Sequence, residues 1–258
     1  MTVGEPVTRS GAARARPRSR RRVSVIGVIG ELLITAGFLV FLFLGWQLWL
    51  NDIIVGEQQN DVAAGLASSW TSGNVSLNQE TVKADYGEPP VMTAPAEAQA
   101  FAVMYIPRFG EDYRRTVSEG ISTTRVLNKN GIGHYGTTQM PGAIGNFAVA
   151  AHRTTYGAPF GGIAELRVGD RIYVQTQDAY YTYVFRNRET VSPSGVGVLD
   201  PVPQFQNVEP EARLLTMTSC NPKFSAAERI IAYAVLESWQ PASVGPPSEI
   251  APLVSAKG

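Results

Sequence analysis

The chain has 258 residues, 44% hydrophobic and 17% charged, with a formal net charge of zero, two histidines and one cysteine. A single cysteine excludes an intramolecular disulfide, and two histidines with one distant thiol are too few for an ordinary protein metal centre. That leaves one soluble-sized hydrophobic core, less whatever apolar content is spent elsewhere.

Much of it is concentrated at the start. From about Val23 to Leu50 the sequence is predominantly apolar, interrupted by Glu31 and Gln47, and Leu32 to Trp46 carries no charge. A bilayer-spanning helix needs roughly 20 mainly apolar residues. Glu31 lies near the basic flank, where a carboxylate can reach the interface or protonate. A cleaved signal peptide is the competing reading, but its apolar run is about 7–15 residues with small residues after it. Here the run is longer and enters Gly45-Trp46-Gln47-Leu48-Trp49, whose indoles suit a membrane interface. The expectation is an uncleaved transmembrane signal-anchor helix over residues 23–50.

Residues 1–22 hold seven arginines and one acid, Glu5, so the tail carries +6 and the remainder of the neutral chain −6. The positive-inside rule keeps such a tail in the cytoplasm and exports the chain beyond Leu50. Nucleic-acid binding by the arginines is set aside because they adjoin a span. Residues 51–98 read as a stalk. Asp52 to Trp70 is compatible with a helix using Ile53, Ile54, Val62, Leu66 and Trp70 as its apolar positions, and the Gly-, Ser- and Pro-containing run after it builds no packed core.

A globular domain, residues 99–240, comes next. Short β-type runs recur at Phe101–Ile106, Asn146–Ala151, Arg171–Gln175, Tyr180–Arg186, Arg213–Ser219 and Arg229–Glu237, separated by turn-forming clusters. This is the pattern of an all-β sandwich or barrel. Short helices are expected around Glu111–Ser118 and Ala164–Leu166, and residues 241–258 as a loose tail.

The chemistry-bearing residues lie at strand ends. If Arg213–Ser219 is a strand, Thr216, Thr218 and Cys220 share one face, and Leu215 and Met217 the other. Asn221-Pro222 ends it, since proline has no backbone donor, which leaves the thiol at the mouth of a loop. A hairpin returning at Arg229 brings a guanidinium beside it, a setting that favours a thiolate. The apolar run Asn146–Ala151 likewise ends at His152, a side chain that exchanges protons near neutral pH. Read singly, Cys220 is equally a small buried hydrophobe, Arg229 a solvated charge and His152 a structural residue. His134, in Gly131-Ile132-Gly133-His134-Tyr135-Gly136, lies in a glycine-rich loop without the strand-to-helix context of a phosphate cradle.

Taken together, FAVMYIPRFG from Phe101, GHYGTTQMPGAIGNFAVAAHRTTYGAPF from Gly133, GDRIYVQT from Gly169 and LLTMTSCNPKFSAAERIIAYAVL from Leu214 resemble the sortases, most of all those of class E, in the order His, Cys, Arg. The resemblance implies a closed eight-stranded β-barrel with short helices behind one transmembrane helix. It implies Cys220 as nucleophile, His152 as general acid/base and Arg229 as oxyanion stabiliser, with Tyr135, Thr218, Tyr156 and Thr216 around the substrate and no cofactor or metal. The family's Thr-Leu-Thr-Thr-Cys strand stands here as Thr216-Met217-Thr218-Ser219-Cys220, and the proline that often follows His-Tyr is missing after Tyr135. The implied partners are secreted proteins bearing Leu-Ala-x-Thr-Gly or Leu-Pro-x-Thr-Gly signals and a lipid II-type peptidoglycan precursor amine, met by an outward-facing enzyme on the cell membrane.

Three alternatives stay open at this level. One is a non-catalytic surface β-barrel that binds a partner. Another is a cysteine transpeptidase acting on peptidoglycan stems directly, though Thr218-Ser219-Cys220-Asn221-Pro222 lacks that class's His-Gly and Gly-Cys-Arg pattern. The last is a pilus-polymerising sortase, for which Glu88-Pro89-Pro90 is the nearest approach to an Asp-Pro-aromatic lid.

Overall fold

The computed structural model describes residues 24–71 and 86–255; the basic tail, residues 72–85 of the expected stalk and the last three residues lie outside them. Two units are distinguished, one ending at Leu44 and the other beginning at Gly45. In the first, helix α1 (Val25–Gly45) has 21 residues and buries none of them. It is long and apolar enough to cross a membrane.

The second unit is built on a closed barrel of eight strands: β1 (Ala100–Tyr105), β2 (Arg114–Glu119), β3 (Ile132–His134), β4 (Gly145–Ala151), β5 (Arg171–Gln175), β6 (Ala179–Val191), β7 (Arg213–Asn221) and β8 (Glu228–Pro241). Around the barrel they run β1-β2-β3-β4-β7-β8-β6-β5, closing back onto β1. Most pairs are antiparallel, but β2 with β3 and β4 with β7 are parallel. Phe147, Val149, Leu215, Met217, Ile230 and Ala232 point inward and join one core cluster with Phe101, Met104 and Tyr183. The alternation expected for Leu215 and Met217 is therefore the one observed.

The segment read as a short helix at Glu111–Ser118 is instead strand β2 from Arg114. Its five residues after Arg114 are all buried, because a second layer covers it on the outside. The turn-laden stretch around His134 contains the three-residue strand β3. There His134 is 1% exposed, its Nδ1 lies 2.7 Å from Glu119 Oε2, and its Nε2 lies 3.1 Å from the Gln139 carbonyl. His134→Ala leaves the buried Glu119 without this partner, and a loss of about 2 kcal/mol in urea unfolding is expected.

The second layer contains helix α2 (Asn51–Thr71). Its buried residues are Gly56, Gln59, Ala63, Ala64 and Ala67, while Ile53, Ile54 and Val62 are exposed. The bulky positions marked in the sequence thus do not form its inner face, although Leu66 and Trp70 pack partly against Val103, Tyr105, Tyr173, Tyr180 and Ile250. Small residues let the helix backbone approach β2 closely. Asn60 fixes the register: its Oδ1 accepts from the Arg114 amide at 3.1 Å and from Arg115, and its carbonyl accepts from Arg114 Nε at 3.1 Å. The chain end returns to the same layer as α4 (Ala251–Ser255), with Arg114 Nη1 donating to the Leu253 carbonyl at 2.8 Å.

Candidate active site

Cys220 and Arg229 are direct partners across the β7–β8 pairing, so the hairpin brings thiol and guanidinium to one strand end. On the other side of β7, the parallel register with β4 pairs Ala148 with Thr216 and Ala150 with Thr218. Two residues further along each chain, just past the end of β4, come His152 and Cys220. Paired residues of neighbouring strands project to the same side of a sheet. The outer face here carries Ala148, Ala150, Thr216, Thr218 and Ile231 as a floor that leads to His152, Cys220 and Arg229.

Past the last register pair, side chains hold the two strand ends together. Ser219 Oγ, buried, donates to the Ala151 carbonyl at 2.8 Å. The hydroxyl is thus what position 219 uses, and the methyl of a threonine is not part of that contact. Arg153 Nη1 donates to the Cys220 carbonyl at 3.3 Å and to Asn221 Oδ1. Burial pulls the Arg153 guanidinium below its ordinary value, Arg188 adds to this, and Cys220 opposes it. Arg153 has a structural part here that the sequence did not single out.

His152 is half-buried. Its Nε2 lies 2.8 Å from Asn128 Oδ1, an atom that only accepts, so Nε2 carries the proton. In the neutral ring Nδ1 is then the nitrogen free to take a proton. Asn128 comes from α3 (Asn128–Asn130), a helical turn in the β2–β3 crossover, where nothing in the sequence marks it. Tyr156 stacks on the imidazole at a centroid separation of 5.0 Å and an interplanar angle of 30°. Burial lowers the pKa of His152, and the carboxylate of Asp52 on α2 partly offsets this.

Arg229 Nη1 donates to the carbonyls of Ala226 and Glu228, both at 2.9 Å, and Nε and Nη2 make no hydrogen bond among the described residues. The guanidinium is thereby anchored with donors to spare. Tyr135 Oη lies 2.9 Å from Thr218 Oγ1, and its carbonyl accepts from Thr138 Oγ1 at 2.8 Å, so the turn is pinned without the missing proline. Thr216 is fully buried and its Oγ1 has no partner among the described residues. No cluster of three potential metal ligands occurs among the described residues.

Glu88-Pro89-Pro90 lies far from this site. Arg213 binds Glu88, and Tyr181 Oη donates to the Pro90 carbonyl at 2.6 Å. Arg213 opens β7, whereas Cys220 is seven residues on, about 23 Å along an extended strand. The segment therefore does not cover the thiol.

The closed eight-stranded barrel thus sets Cys220 and Arg229 opposite each other across β7 and β8, with His152 directly after the end of β4. The Sortase domain model matches residues 104–237. Sortase SrtE1 of Streptomyces coelicolor is 35% identical over 253 residues, covering 95% of this chain and 67% of the relative; SrtE2 of the same organism is 27% identical, covering 88% and 87%. Among solved structures, sortase E from Streptomyces avermitilis superposes with a TM-score of 0.55 at 41% identity, over 60% of this chain and 99% of that one. Sortase E1 from Streptomyces coelicolor, solved with a tripeptide in its active site, gives 0.56 at 39%, over 62% and 99%. The SrtA sortase from Actinomyces oris gives 0.60 at 32%, over 64% and 94%. The chain belongs to the sortase family of cysteine transpeptidases and is similar to its class E members.

Proposed function

We propose that this sortase cleaves a carboxy-terminal sorting signal between Thr and Gly and transfers the new acyl end to a peptidoglycan-precursor amine. The observation that carries the reading is the convergence of Cys220, His152 and Arg229 at adjoining strand ends. Cys220 thiolate attacks the Thr carbonyl carbon, forming a C–S bond. Arg229, opposite it, donates to the oxyanion. The imidazolium of His152 then gives its Nδ1 proton to the departing glycine nitrogen as the C–N bond breaks, leaving a thioester. An incoming amine attacks that thioester, His152 takes its proton, and the thiolate leaves. Tyr135 and Thr218, joined by their hydroxyls, and Tyr156, exposed over the imidazole, line the path of the signal, with Thr216 beneath it. Helix α1 anchors the enzyme in the cell membrane, the basic tail faces the cytoplasm, and the barrel faces outward, where secreted substrate and lipid-linked amine both arrive.

The test is the full chain in detergent micelles, given Leu-Ala-x-Thr-Gly or Leu-Pro-x-Thr-Gly peptides with an amine acceptor. Transfer products are expected, with the alanine signal preferred as in a class E enzyme. Cleavage of neither peptide returns the barrel to a binding role.

The mechanism needs thiolate and imidazolium together. Burial lowers the pKa of His152 from its ordinary value near 6.5, so only a minor part of the molecules hold the imidazolium at neutral pH. The enzyme is expected to be slow, with a bell-shaped kcat/KM whose acid limb lies below about pH 6.5. A profile with a single limb contradicts the two-group account.

A further inference from the structure

Behind His152 the chain turns through residues 153–158, and this segment is conformationally costly. Thr155, Tyr156 and Ala158 have φ of 66°, 50° and 41°, and Gly157 lies between them at 78°. Left-handed conformations at non-glycine residues persist only where the surroundings over-determine them. Within the segment, Ala158 N donates to the Thr155 carbonyl at 2.8 Å, and Phe160 N to the His152 carbonyl at 2.9 Å. Arg153 is tied to the end of β7 through the Cys220 carbonyl and Asn221, and further restraints come from α2, about a hundred residues earlier in the chain.

Asp52 Oδ2 accepts from the Thr155 amide at 2.9 Å, and its Oδ1 from the Gly157 amide at 3.3 Å. One carboxylate therefore grips two amides of the left-handed turn. Further along the helix, Gln59 Nε2 donates to the Tyr156 carbonyl at 3.0 Å. Gln59 is 5% exposed, and the bond is partly buried. The loop and helix backbones approach closely at Gly157 and Gly56. A Cβ on Gly157 would lie 2.9 Å from Gln59 Oε1 and 3.0 Å from the Gly56 amide nitrogen. The segment that α2 holds carries Tyr156, whose ring stacks on His152. Asn128, Tyr156 and Asp52 are the side chains that bear on the imidazole from the crossover turn, its own loop and α2.

We propose that α2 is part of the active site, with Asp52 and Gln59 as positioning residues that hold residues 153–158 in their left-handed turn and so orient His152 toward Cys220. The inference rests on the reading of His152 as the acid/base. Asp52 contributes in two separable ways. Its charge favours the imidazolium, and its two hydrogen bonds fix the ring's support. A loss of charge alone lowers kcat/KM by the same factor by which it lowers the His152 titration midpoint. A loss of positioning lowers kcat/KM by more than that factor.

The experiment uses the full chain in micelles, labelled at its two histidines, as wild type, D52N, D52A, Q59A, D52A/Q59A and H152A. Peptide-transfer kinetics across pH, the NMR titration of His152 and thermal melting are read on each. D52A is expected to lower kcat/KM by about 10- to 100-fold, the scale on which misplacement of a reacting group is felt, with KM for the peptide little changed. The His152 titration and the acid limb both move to lower pH, by less than the loss of rate requires. D52N, which keeps one acceptor but no charge, falls between wild type and D52A. Wild-type kinetics and His152 titration in D52A/Q59A, with H152A inactive, overturn the role of α2 and leave the acid/base reading intact. Loss of rate only in proportion to lowered melting, with an unmoved His152 titration, also overturns it. Activity in H152A removes the acid/base reading itself.

Discussion

Replacing Cys220 by alanine is expected to abolish both cleavage and transfer, by at least about 10⁴-fold in kcat, because the acyl intermediate is formed on its thiol. The thiol is the chain's only one, and it is partly exposed. Cys220→Ser is the sharper variant. It keeps a hydroxyl in the same place, but that hydroxyl has a far higher pKa than a thiol, so His152 would have to remove its proton during attack. Activity near background is expected for serine as well. Transfer assays on both variants at matched folding, verified by unchanged melting, check this; substantial activity in Cys220→Ala would show that the barrel's chemistry lies elsewhere. His134, buried against Glu119, serves as the internal control, since His134→Ala costs stability without touching the reacting atoms.

The second large effect is expected at Arg229. Its Nη1 is spent on the Ala226 and Glu228 carbonyls, which fixes the plane of the guanidinium and directs the remaining donors. Arg229→Ala removes the donor opposite the thiol, and removal of one such donor costs about 10²–10³-fold in kcat. Arg229→Lys retains the charge but cannot bridge two carbonyls while donating to an oxyanion from a fixed fork. It is expected to recover only a small part of the loss. If lysine restores full activity, Arg229 supplies charge alone, and the geometric part assigned to it is wrong. Single-turnover acylation separates this from substrate binding, because an oxyanion donor acts on the chemical step.

Much of the barrel is legible in the sequence because its strands obey a period of two. Arg213–Ser219 separates Leu215 and Met217 from Thr216 and Thr218, and the structure buries the former inside the barrel. The turn signals between Cys220 and Arg229 likewise anticipate a hairpin that sets the two opposite each other. The elements that escaped the sequence did so for physical reasons. Strand β2 begins with two arginines and is covered on its outer side by α2, so burial on both faces erases the alternation. Arg115 itself lies with its guanidinium 4.7 Å from the Tyr113 ring centre, in a place that composition would assign to solvent. Strand β3, with three residues and a central glycine, is too short to show any period.

Helix α2 misleads in a different way. Its large apolar side chains Ile53, Ile54 and Val62 are exposed, and its contact face is made largely of glycine and alanine, whose value lies in close approach and not in hydrophobicity. The same limit applies to the site. His152 is visible as the end of an apolar strand, but Asn128 and Asp52 acquire meaning only when the crossover turn and α2 dock. Neither residue is marked by its neighbours in sequence, and Asp52 reads there as the first acid of a stalk. Ser219 is intermediate: its hydroxyl is legible as a family feature, while its bond to Ala151 needs the parallel β4–β7 register.

Under the proposed function, acyl transfer passes through a thioester on Cys220. It is tested most directly by mixing the full chain with a sorting peptide in the absence of an amine, quenching in acid, and measuring intact and digested mass. An adduct of the peptide up to its threonine is expected, lost on adding an amine and located on the fragment that contains Cys220. Turnover without any adduct on that fragment, or an adduct on another side chain, would contradict the thioester route.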